Sequence, residues 1–114
     1  MAHIPFEIIN WKQIQQTEHP GEKGISFWQT VQHEGLRIRV VTYNPGYLAD
    51  HWCHKGHIVH CIEGSFICEL KNGESVYLSL GMTYVVSDDL SAHRSYSENG
   101  VKLFIVDGDF LSNE

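Results

Sequence analysis

From Gly24 to Asp107 short runs of alternating apolar and polar residues are broken by Gly, Pro or Asn-Gly. An amphipathic helix needs about ten or more residues at a 3.6-residue period, whereas these runs are short and have a period of two, so strands fit them. Ile25 to Gln32 and Leu36 to Tyr43 flank His33-Glu34-Gly35, a hairpin connection. In the second run Leu36, Ile38 and Val40 alternate with Arg37 and Arg39, which predicts a buried aliphatic face and a wet arginine face. Asn44-Pro45-Gly46 suits a type II turn. Tyr47 to Cys53 then reads as a strand, His54-Lys55-Gly56 as a turn and His57 to Glu63 as a strand. Gly64-Ser65 is expected to reverse the chain into Phe66 to Lys71, and Asn72-Gly73 to form a type I′ hairpin. Val76, Leu78 and Leu80 at period two, Met82 to Val86, His93 to Ser97 and Val101 to Asp107 complete about nine strands, the pattern of a small all-β sandwich or barrel.

Before Gly24 the pattern is weaker. Asn10 is placed to cap one helical turn from Trp11 to Gln15, and Thr17 to Gly24 reads as loop. The expected division is an N-terminal arm (1–23), one barrel domain (24–107) and a C-terminal tail (108–114). A chain of 114 residues with 42% hydrophobic and 19% charged residues can bury one core and is not disordered. Its net charge of −6 disfavours nucleic acid and anionic membranes. No apolar run approaches the roughly 20 residues of a bilayer span, and Met-Ala-His-Ile-Pro-Phe-Glu does not open like a signal peptide. Three unevenly spaced cysteines make no disulfide framework, so a cytoplasmic protein with reduced Cys61 and Cys68 in its core is expected.

The chemistry is concentrated between Gly46 and Gly64, which holds His51, His54, His57 and His60 with Asp50, Glu63, Cys53 and Cys61, set among Trp52, Ile58, Val59 and Ile62. Imidazoles and thiols buried among apolar neighbours need partners, and one metal ion satisfies several at once. In an extended Tyr47–Cys53, His51 and Cys53 share a face, with Asp50 and Trp52 opposite. His57 lies just past the turn, and His93 opens a remote strand. The set offers either an open site of three imidazoles, His51, His57 and His93, or a four-coordinate one if Cys53 binds. Cys53 is otherwise a free thiol lining the pocket, and His54 an exposed turn residue unless a bend exchanges it with Cys53. Asp50 either holds an imidazole N–H or is an exposed carboxylate. Trp52 and Tyr84 are further pocket candidates, and Asp50, Glu63 and Tyr84 the candidate acids or bases. Arg94 and Tyr96 are expected to pack outside the barrel, and His3, His19 and His33 on the surface.

The Pro45-Gly46, His51, His57, Gly64, Gly81, His93 skeleton resembles the cupin family. Six residues before Gly64 stands His57, where the first cupin motif has Glu; Cys53 stands where it has its second His, and His51 where it has its first. Gly81 opens the second motif, Ser87 and Asp89 replace its Pro and Gly, and His93 follows one residue late. Asp50-His51-Trp52-Cys53 followed by Lys55-Gly56-His57 is similar to the small DHCW-motif group of cupins. The resemblance implies a cupin-type double-stranded β-helix (jelly-roll) barrel, often a homodimer. It implies a divalent transition metal (Fe, Zn, Ni, Cu or Mn) on His51, His57 and His93, with Cys53 either a fourth ligand or a free thiol beside them. The function expected is small-molecule binding around that metal, either in a metal-dependent oxygenase or isomerase or in a non-catalytic ligand-binding or sensing barrel. A pure protein-interaction domain would have neither metal nor pocket.

Overall fold

The computed structural model describes residues 3–113; residues 1 and 2 of the expected arm and residue 114 of the expected tail lie outside them. The strands are β1 (Thr17–Pro20), β2 (Ile25–His33), β3 (Leu36–Tyr43), β4 (Tyr47–Leu48), β5 (His57–Leu70), β6 (Ser75–Ser79), β7 (Thr83–Val86), β8 (His93–Ser97) and β9 (Val101–Gly108). Two single 3-10 turns, Trp11–Gln13 and Asp109–Leu111, are the described helical elements. The first is capped as expected, Asn10 Oδ1 accepting the Lys12 N–H at 3.1 Å. The chain is thus mostly β, a curled antiparallel sheet of the jelly-roll type.

β5 joins the two halves. Its first part pairs with β9 and β7, its last part with β6 and β8. The expected reversal at Gly64-Ser65 does not occur. A bulge between Cys61 and Glu63 and a left-handed Gly64 (φ 77°) turn a corner instead, and the strand passes from one sheet to the other. A side chain at Gly64 would meet the Gly100 carbonyl, so glycine serves both conformation and close approach. One sheet runs β1-β2-β3-β9-β5-β7 and the other β4-β8-β5-β6. Phe66, Leu103, Val41, Val59 and Cys61, none more than 2% exposed, form the core. Each such aliphatic or aromatic side chain stabilises the fold by about 1.5–3 kcal/mol on burial. Cys61 and Cys68 sit in this core as free thiols.

At Asn44-Pro45-Gly46 the type II reading holds: the Tyr47 N–H donates to Asn44 O at 3.1 Å and Gly46 has φ 87°. At Asn72-Gly73 only the glycine has positive φ, so the turn is not type I′; the Gly73 N–H closes onto Leu70 O at 3.0 Å. Thr17–Pro20, read as loop, is an edge strand on β2, where His19 stacks on Trp28 at 3.8 Å. It has no buried apolar face, hence no period to read. Tyr47 to Cys53 is not one strand: β4 ends at Leu48, and Cys53 returns to the sheet through a single bridge to His93.

The largest correction concerns β3. Arg39 is 5% exposed and Val41 1%, and with Arg37 and Tyr43 they line the barrel interior. The arginine face points inward at one end and becomes apolar at the other. The alternation is real and Val40 on the aliphatic side is buried as expected, but the arginine side lines the cavity instead of facing water.

Candidate metal centre and cavity

β3, β9 and β5 lie side by side, and register opposes Arg37 to Asp107 and Ile58 to Val106, which sets His57 beside Asp107. On β9 the inward face runs Val101, Leu103, Ile105, Asp107, so the carboxylate ends an apolar stripe, 1% exposed. Arg37 Nε and Nη2 donate to its two oxygens at 2.9 Å each, Arg39 Nη2 donates to Oδ2 at 3.1 Å, and His57 Nδ1 lies 2.9 Å from Oδ2. Burial alone would raise the Asp107 pKa. The hydrogen bonds from His57 and Arg37 and the charges of both arginines outweigh it and hold the carboxyl well below the usual range. Asp107 is therefore ionised and can only accept, so His57 Nδ1 carries the proton and its Nε2 a lone pair.

That Nε2 lies 3.3 Å from Cys53 Sγ. His93 is fixed in the same way: Nδ1 lies 2.9 Å from Ser91 O, a pure acceptor, so Nε2 again carries the lone pair. His93 is 4% exposed, and its Nε2 has no hydrogen-bond partner among the described residues. The Cys53 N–H donates to His93 O at 2.8 Å and the His93 N–H to Cys53 O at 3.0 Å, so the two side chains stand as neighbours on one antiparallel bridge. The following turn is pinned by Gly56 N–H to Asp88 Oδ1 at 2.6 Å and Asp89 N–H to His54 O at 2.8 Å. Burial works to raise the Cys53 pKa, but His57, whose Nε2 can take the thiol proton and carry the resulting charge, and a backbone hydrogen bond at Lys55 bring the thiol below its ordinary value.

The donor atoms of Cys53, His57 and His93 all lie within 4.8 Å of one another. A tetrahedral zinc with bonds of about 2.0–2.3 Å sets its donors about 3.3–3.6 Å apart, so modest side-chain adjustment suffices. Two features argue that the residues fit a metal. The buried His93 Nε2 lacks any other acceptor role, and Asp107 backs His57 as a carboxylate commonly backs a ligating imidazole. One thiolate with two imidazoles suits zinc, copper or iron and excludes magnesium or calcium.

The group faces a cavity of about 230 Å³. His51 lines its mouth, three-quarters exposed and 2.6 Å from Asp50 Oδ1, outside the group of close donors. Asp50 is exposed at the same rim. Tyr84 lines the cavity wall, its hydroxyl kept protonated by burial. Trp52 lies under the Arg94 guanidinium at 4.9 Å, while His54 and Glu63 are exposed and outside the cavity lining. His60 is exposed, 2.8 Å from Thr83 Oγ1. Arg94, expected outside the barrel, reaches the cavity lining. Asp107, Arg37 and Arg39 escaped the sequence reading as site residues. The one usable signal was an aspartate continuing the apolar face of β9.

No protein-family model matches the chain, and no curated protein matches its sequence. Solved structures do match its fold. A protein described as a predicted oxalate decarboxylase from Thermotoga maritima is 11% identical, with TM-score 0.75 over 88% of this chain and 96% of its own. A sugar phosphate isomerase from a cupin superfamily of Silicibacter pomeroyi is 12% identical, with TM-score 0.70 over 90% and 75%. An RmlC-like cupin from Shewanella frigidimarina is 16% identical, with TM-score 0.69 over 94% and 92%. At these identities the likeness is one of fold: two of these structural neighbours are described as cupins, and the barrel described above has the architecture of all three.

Proposed function

We propose that this barrel binds a small molecule beside a divalent transition metal held by Cys53, His57 and His93. The observation that carries the reading is His93 Nε2, a buried lone pair without a partner among the described residues, close to the Cys53 thiol and the His57 lone pair. Three protein donors leave a coordination position open, and a metal there would supply Lewis-acid or redox chemistry to a bound molecule. The chain's own groups do the rest. Asp107 fixes the His57 tautomer, Tyr84 offers a protonated hydroxyl, and the cavity of about 230 Å³ gives a small molecule room beside these groups. This supports an enzyme of the isomerase or oxygenase kind, and one fold neighbour is described as a sugar phosphate isomerase.

One observation favours a second reading. His51 lines the same cavity and is restrained in the described structure by its contact with Asp50. A fourth donor from His51 would close the site and favour binding or sensing without turnover. In either reading 24–107 is the working unit, with 1–23 as arm and 108–114 as tail. Phe6 and Ile8, 94% and 84% exposed on the arm, support its packing on a second copy.

Elemental analysis of protein purified without an affinity tag tests the centre. Near one transition metal per chain is expected in the parent, with loss in His93→Ala. An empty parent after reconstitution would overturn the metal reading.

A further inference from the structure

Two guanidiniums in the barrel share one carboxylate. Arg37 commits both Nε and Nη2 to Asp107, but Arg39 gives it only Nη2. The Arg39 side chain is 6% exposed, and its Nε–H has no hydrogen-bond partner among the described residues. The guanidinium rests on Trp28, 4.4 Å from the ring centroid, and both side chains line the cavity. A buried charged donor without an acceptor is costly unless something absent from the chain supplies one. The rest of the lining agrees. It carries Arg37, Arg39, Lys55 and Arg94, and no Asp or Glu among the described residues, in a chain whose net charge is −6. Arg94 is paired with Glu69 at 2.9 Å, and its own Nε is likewise buried and unpartnered. Burial and the neighbouring Arg37 both work against the Arg39 charge, which an anion in the cavity would relieve.

We propose that the cavity takes a small organic carboxylate, its anionic group accepting the Arg39 Nε–H and its body lying against Val41, Leu103 and Ile105. Donor supply favours a carboxylate over a phosphate. Arg37, Arg39 and Asp107 together carry a surplus of one positive charge at this wall of the cavity, which matches a monoanion and not a phosphate dianion. The aliphatic wall matches a short hydrocarbon body. The inference deepens the reading above by naming the class of ligand, and it depends on the cavity rather than on the metal.

The test is a titration of butyrate, its neutral isostere butyramide and inorganic phosphate into zinc-loaded and metal-free protein. The readout is the Arg39 Nε–H resonance by NMR, assigned with the Arg39→Lys variant. Butyrate is expected to move that resonance saturably in both forms, butyramide to leave it unmoved, and Arg39→Gln to weaken butyrate about tenfold or more, as for loss of a charged hydrogen bond. An equal response to butyramide, tighter binding of phosphate, or undiminished butyrate affinity in Arg39→Gln would overturn the proposal. If Arg39→Gln fails to fold, the butyrate–butyramide comparison in the parent decides alone. Failure of the metal reading looks different: no zinc uptake, with the butyrate response of the metal-free protein intact.

Discussion

The two ends of the barrel interior are built from the same strands by opposite means. At one end β3, β5 and β9 contribute Val41, Cys61, Leu103 and Val101, packed with Phe66, Leu78 and Cys68. Two to six residues along each strand, on the same inward face, they contribute Arg39 and Arg37, His57, and Asp107. The packed end is held by burial, which is non-directional and tolerates substitutions of similar shape. The charged end is held by a fully bonded Asp107, whose attraction for three donors must offset the desolvation of all four groups. Such a cluster adds little net stability over an apolar equivalent, yet it is severe to break. What it gains is a fixed His57 tautomer and a polar cavity.

Single truncations at the two ends should separate these modes. Asp107→Ala leaves Arg37, Arg39 and His57 without their shared acceptor and should destabilise by about 3–5 kcal/mol in urea unfolding, as when one partner of a buried pair is removed. Leu103→Ala at the packed end should cost about 2–4 kcal/mol, through a cavity rather than stranded charge. If Asp107→Ala proved milder than Leu103→Ala, the charged end would be looser and wetter than the structure shows. Metal should stabilise through the polar end only. With free zinc at a hundredfold its Kd, stability should rise by about 2.7 kcal/mol. Calorimetry should show this gain intact in Leu103→Ala and absent in His93→Ala.

How much of this was legible beforehand differs between the two ends as well. The apolar end announces itself by alternation: Val101, Leu103 and Ile105 on β9, and Phe66 and Cys68 on β5, follow the period of two. The spacing also pointed to Cys53, His57 and His93, whose donors the structure brings within 4.8 Å, and to His51, which it leaves at the cavity mouth. The charged end was misread because its reason is non-local. Arg37 and Arg39 look like a wet face until Asp107, some 70 residues away, lies opposite them. Gly64-Ser65 was misread for a different cause. A left-handed glycine serves a reversal and a bulged corner equally well, and only the separate partners waiting for each half of β5 decide between them.

Two smaller effects sharpen the contrast. Burial pushes the Cys68 thiol up to about 11 from 9.0. The unfolded chain thus ionises first, and stability contributed below pH 9 is lost as pH rises through that interval, by about 3 kcal/mol in all. Denaturation followed from pH 8 to 11 should show this fall, flattened in Cys68→Ala. Arg94→Ala removes a partly exposed ion pair with Glu69 and should cost only about 0.5 kcal/mol, less still at high salt. A larger loss would mean that Arg94, over Trp52, braces the cavity mouth.

The central claim is that Cys53, His57 and His93 together bind one transition metal, and cobalt(II) substitution tests it most directly. The account predicts one cobalt per chain with a sulfur-to-cobalt charge-transfer absorption that disappears in Cys53→Ala. A parent that binds no cobalt, or a cobalt spectrum unchanged by Cys53→Ala, would contradict it.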